Sequence, residues 1–126
     1  MAVIDEVATY LAAQGLGTIG TNIFKSYLPD NNDNSLVVLD TGGVQPDRYL
    51  PTKKPTFQVF IRASNYSDGK SKLDSVRSLL HQKKNANLIS NGTYFYYIMA
   101  QSEGGHLGVN DKGLDEFSIN FICLTR

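Results

Sequence analysis

The sequence predicts an α+β fold: a mostly antiparallel sheet with two helices packed on one face. Three observations predict it. Two segments carry apolar residues at helical spacing. Several others alternate, or run apolar, at strand length. No repeat, low-complexity tract or long linker divides the chain, and 126 residues suit one domain, so residues 1–126 are read as a single unit. At that length folding removes roughly two thirds of the unfolded chain's surface from water, enough for a core without disulfides.

Residues 3–13 place Val3, Ile4, Val7 and Leu11 on one helical face. Asp5 and Glu6 in the first turn suit the helix dipole, and Gly15 and Gly17 end the helix. Residues 18–28 read as a strand with Ile19, Ile23 and Tyr27 on one side, followed by a polar turn over 29–34. Leu36-Val37-Val38-Leu39 is a short buried strand broken by Asp40-Thr41-Gly42-Gly43. Residues 41–55 hold Pro46, Pro51 and Pro55 and form an extended loop. Over 56–62, Phe57, Val59 and Ile61 face one way, Gln58 and Arg62 the other. Asn65 or Ser67 caps a helix over 67–83, with an apolar stripe of Leu73, Val76, Leu79 and Leu80 and with Asp74 and Arg77 one turn apart on its wet face. Tyr94 to Ala100 and Glu116 to Thr125 complete the order α-β-β-β-α-β-β. Two helices on one face leave the other face, with Phe60, Tyr97 and Met99, uncovered, which favours oligomerisation.

Charge and composition exclude several classes. Lys+Arg and Asp+Glu are 12 each, so nothing global draws the chain to nucleic acid or anionic lipid. Neutrality also removes the self-repulsion that keeps copies apart. Cys123 is the one cysteine, so no intrachain disulfide forms. No run approaches the ~20 apolar residues of a membrane span, and the acidic N-terminus lacks the basic flank of a secretory signal. Synthesis in a cytoplasm and no membrane partner are therefore expected.

Chemical motifs fail on context. Gly15-Leu16-Gly17-Thr18-Ile19-Gly20 spells a dinucleotide fingerprint, with Asp40 about twenty residues on. That fingerprint needs a strand before it and a helix after it, because the helix N-terminus holds the pyrophosphate. Here the helix precedes. Asp40-Thr41-Gly42 matches the aspartic-protease triplet, in which two chains would share a proton between aspartates. Two helices in so short a chain, and the lack of that family's second element at His106-Leu107-Gly108, argue against it. The alternative is a strand end whose Asp40 bonds the turn amides. His81, His106 and Cys123 have no metal-site spacing. His81, near a helix C-terminus, is expected in solvent and Cys123 in the core. Lys53-Lys54 and Lys83-Lys84 are too short for a nucleic-acid surface, and Tyr94-Phe95-Tyr96-Tyr97 has no adjacent basic residues. No catalytic residue, metal ligand set or cofactor site is expected.

One longer pattern does point to a family. Leu39-Asp40-Thr41-Gly42-Gly43, then Pro46, Tyr49-Leu50-Pro51 and Pro55-Thr56-Phe57-Gln58-Val59, resembles the loop and strand of the minor capsid or tail-terminator (tail-completion) proteins of long-tailed bacteriophages. Val76-Arg77-Ser78-Leu79-Leu80 is similar to that family's helix core. Leu107-Gly108-Val109-Asn110-Asp111-Lys112-Gly113 with Phe117-Ser118-Ile119-Asn120-Phe121 is similar to its last turn and strand, although Asn110 beside Asp111 shifts the usual spacing. The resemblance spans about two thirds of the chain. It implies a hexameric ring in the virion, at the head-proximal end of the tail. There it would contact further copies of itself, the tail tube protein and a neck or stopper protein, with phage DNA only passing through the lumen. A stopper or adaptor ring of the neck is the neighbouring possibility.

The loop from Thr41 to Lys54 is long for a connector. Proline lowers the entropy lost on ordering such a segment, and Tyr and Arg dominate interfaces. Asp40, Pro46, Asp47, Arg48, Tyr49, Lys53 and Lys54 are therefore the expected interface residues.

Overall fold

A computed structural model describes residues 3–20, 22–25, 34–42, 53–81, 83–89, 92–101, 104–109 and 113–125. Its elements are α1 (Val3–Ala13), β1 (Ile23–Lys25), β2 (Ser35–Asp40), β3 (Thr56–Ala63), α2 (Tyr66–Leu80), β4 (Lys83–Asn87), β5 (Tyr94–Ala100), β6 (Gly105–Val109) and β7 (Asp115–Thr125). The expected order is present, with β4 and β6 added. The strands form one sheet in the order β1-β2-β3-β7-β5-β4, with β6 also paired to β7. All pairings are antiparallel except β1 with β2.

The long strand β7 organises the sheet. On one edge it pairs along all of β3; on the other its C-terminal half pairs with β5 and its N-terminal half with β6. Its alternation places Phe117, Ile119, Phe121 and Cys123 in the core beside Ile61, Val59 and Phe57 of β3. Val7, Ala8 and Leu11 of α1 and Leu73, Val76 and Leu80 of α2 close over this face in one cluster. Phe57 and Phe121 stack with ring centroids 5.1 Å apart.

Helix ends follow their local chemistry. At the end of α1, Gly15 takes φ +89°. Leu16 N–H donates to the Leu11 carbonyl and Gly15 N–H to that of Ala12, a Schellman closure with Leu16 folded onto the core. This is what the glycine fingerprint does here. Asn65, rather than Ser67, caps α2 by accepting the Asp68 N–H at 2.9 Å.

Four expectations need correction. The helix expected to reach residue 83 stops at Leu80: His81 turns extended, and Lys83 begins an edge strand. Lys83 is held there by Tyr10, whose hydroxyl accepts from Nζ at 3.1 Å and whose ring centroid lies 4.8 Å away. His81 is half-buried, not solvated, because its Nδ1 accepts the Ala100 N–H at 3.0 Å. Arg77, expected on the wet face one turn from Asp74, is half-buried with its Nε closed to solvent, while Asp74 pairs with Lys70 at 3.6 Å. The strand expected over 18–28 is confined, within the described residues, to Ile23–Lys25. Thr18–Gly20 folds back on it, with Ile23 N–H donating to the Thr18 carbonyl and Gly20 N–H to that of Ile23.

Cys123 is buried as expected, and burial pushes its thiol from 9.0 up to about 12. The unfolded thiol ionises near 9, so this group's stabilisation is complete below pH 9 and is lost as pH climbs toward 12. A thiol reagent at pH 8 should therefore label Cys123 only as fast as the chain unfolds; rapid labelling of the folded protein would contradict the burial.

Candidate interaction surfaces

The sheet face opposite the helices is built by the out-pointing half of each strand. Phe60 stands across from Ser118, Met99 from Ile122 and Tyr97 from Leu124. Phe60, Tyr97, Ile122 and Leu124 are half-buried and Met99 is exposed, so this is the apolar face the alternation predicts. Arg62 and Glu116 pair at 3.5 Å across the same face.

A second apolar surface was missed by the sequence reading. Leu107 and Val109 on β6 are 59% and 62% exposed, and Tyr66 at the start of α2 is 52% exposed. His106, next to Leu107 in the strand, ties β6 to the start of α2: its ring lies 5.2 Å from that of Tyr66 and 4.9 Å from that of Phe117, and its Nε2 is 2.8 Å from Asp115 Oδ1. Leu107 and Val109 alternate between glycines, a strand signal overshadowed by the reading of this stretch as a turn. A one-residue bulge at Leu107 shifts the register with β7.

Of the expected interface residues, Pro46, Asp47, Arg48 and Tyr49 lie outside the described residues. The structure brings Asp40 and Lys53 to the same end of the sheet. Asp40 ends β2 opposite Phe57, and its Oδ1 accepts the Gly42 N–H at 2.8 Å. Gly42 takes φ +93°, a conformation glycine adopts without strain. Lys53 exchanges two 2.9 Å backbone hydrogen bonds with Thr125, extending the β3 side of β7, and Lys54 follows, half-buried. Thr41 and Thr56 clasp the base of the loop with hydroxyls 2.6 Å apart.

The Asp40 carboxylate thus closes a turn. Asp40→Asn keeps an acceptor for Gly42 and is expected to leave the melting temperature within about 2 °C, whereas Asp40→Ala costs about 1 kcal/mol. Thermal melting of the two variants checks this, and equal losses would contradict the turn role. Among the described residues no group of three or more His, Cys, Asp or Glu could hold a metal ion. No described helix is long and apolar enough to cross a membrane.

These features define a structural α+β domain whose apolar face and corner suit protein contacts. Comparison gives the family: the description "Bacteriophage tail terminator protein" matches residues 10–125, and the chain belongs to that family. It is therefore a structural protein of the phage tail. In fold it is similar to a chain in the structure titled "Virion of native gene transfer agent (GTA) particle", with TM-score 0.68 and 14% identity over 98% of this chain and 94% of that one. Comparison with curated protein sequences gives no significant match.

Proposed function

We propose that the chain forms a ring at the head-proximal end of the tail, ends polymerisation of the tail tube and joins the tail to the neck. Family membership over residues 10–125 supports the tail assignment. The observation that carries self-association is the exposed corner of Tyr66, Leu107 and Val109, large apolar side chains that a monomer gains by burying. A head-to-tail ring joins two different patches of each copy and closes without free ends. The half-buried sheet face around Met99 and the loop ending at Lys53 are the other contacts. In this reading Arg48 and Tyr49 dock on an adjacent subunit or on the next ring, with Asp40, Pro46, Asp47, Lys53 and Lys54 at the edges of that contact. The ring is hexameric, as the family resemblance implies. Its partners are further copies, the tube protein and a neck protein; DNA passes through the lumen, and the chain is made in the host cytoplasm. It performs no catalysis.

Two double variants test the proposal. Leu107→Glu with Val109→Glu changes exposed positions, so the melting temperature is expected to move by no more than about 2 °C while rings disappear from size-exclusion chromatography. Arg48→Ala with Tyr49→Ala is expected to behave in the same way. Normal rings from both variants would sink the assignment of these contacts.

A further inference from the structure

We infer that a cavity at the C-terminal end of α2 binds a single oxyanion, a site independent of the ring contacts proposed above. The cavity measures about 280 Å³ and is lined by Arg77, Ser78 and His81. Its side chains offer donors. Arg77 carries a fixed positive charge and a guanidinium fork suited to carboxylate or phosphate oxygens. Ser78 offers a hydroxyl. His81 Nδ1 is occupied by the Ala100 N–H at 3.0 Å, so in the neutral imidazole the proton sits on Nε2, which becomes a donor.

Arg77 has no counter-ion among the described residues. Its Nε is buried without a hydrogen-bond partner. The described carboxylates are engaged elsewhere: Asp5 with Lys25, Glu6 with Thr93, Asp40 with Gly42, Asp68 with Asn65, Asp74 with Lys70, Asp115 with His106 and Glu116 with Arg62. Nε is closed to solvent, so a bound anion pairs with the two Nη groups, which have no carboxylate partner among the described residues. A second cavity, of about 400 Å³, shares Ser78 and is also lined by Leu16, Leu79 and Asp74, whose carboxylate keeps an anionic group at the Arg77 end. The carbonyl end of α2 disfavours negative charge, so binding depends on Arg77 and is weak when Arg77 is lost.

The test is a ¹⁵N NMR titration of the full chain with sodium phosphate and, separately, sodium acetate, each against sodium chloride at matched ionic strength. The expected result is saturable shifts confined to the amides around Ser78, His81 and Ala100. Tighter binding of acetate would identify a carboxylate as the natural group, and tighter binding of phosphate a phosphate. Arg77→Gln should weaken binding at least about tenfold. If that variant does not fold, Ser78→Ala carries the test and should weaken binding about threefold. Shifts that do not saturate, that chloride reproduces (an adventitious ion only), or that survive these substitutions undiminished would overturn the proposal.

Discussion

Gly69→Ala is expected to destabilise the domain by about 2 kcal/mol, although alanine is the better helix former. In a helix interior alanine gains about 1 kcal/mol over glycine. At Gly69 the added Cβ would run into the Phe117 ring. That ring has little room to step aside: Phe117 is fully buried and forms a three-ring cluster with Tyr66 and His106. Overpacking of this kind costs about 3 kcal/mol, which exceeds the helix gain. In a chain of this length the net loss corresponds to a fall in melting temperature of roughly 6–10 °C. Adding Phe117→Leu should restore part of it, because the two positions share one volume. A melting temperature equal to or above that of the parent would show that Phe117 has room to move, and with it the corner that carries Leu107 and Val109.

Glu6→Ala is expected to cost more, about 3 kcal/mol. Glu6 is a fully buried carboxylate on α1. It accepts the backbone N–H of Thr93 at 2.5 Å and also the Thr93 hydroxyl, so one side chain pins the start of β5 to the first helix. Truncation leaves both Thr93 donors without their acceptor, a loss of about 1–3 kcal/mol each. Glu6→Gln should lose less, since its amide oxygen can accept the N–H while its amide nitrogen donates to the hydroxyl. Urea unfolding of Glu6→Ala, Thr93→Ala and the double variant measures the coupling. A single-variant loss below about 0.5 kcal/mol, or full additivity, would contradict the pinning role.

The parts of the fold legible in the sequence are those where burial is one-sided and local. In β3 the alternation of Phe57, Val59 and Ile61 translates directly into alternating burial. Leu73, Val76 and Leu80 mark the buried stripe of α2 in the same way. Two strands were not legible. Lys83-Lys84-Asn85-Ala86-Asn87 has no apolar alternation, because β4 is an edge strand fixed by pairing with β5 and by Tyr10 on a distant helix. Gly105–Val109 is a strand because β7 offers its free edge. Of the candidate surface, the Asp40 turn was readable as local Asx chemistry. The corner of Tyr66, Leu107 and Val109 was not, since exposure depends on which sheet edge the rest of the chain leaves uncovered. Family membership was readable from the motif around Leu39–Gly43 and the segments after it, a signal carried by particular residues and independent of the fold-class argument.

The central claim is that copies of this chain close into a ring that caps the tail tube. Its most direct test is native mass spectrometry of the purified chain with and without tube protein, with negative-stain images of the same samples. The account predicts a closed six-copy species, at the latest when tube protein is present, seated on one end of each tube. A chain that stays monomeric at every concentration and leaves tube ends bare would contradict it.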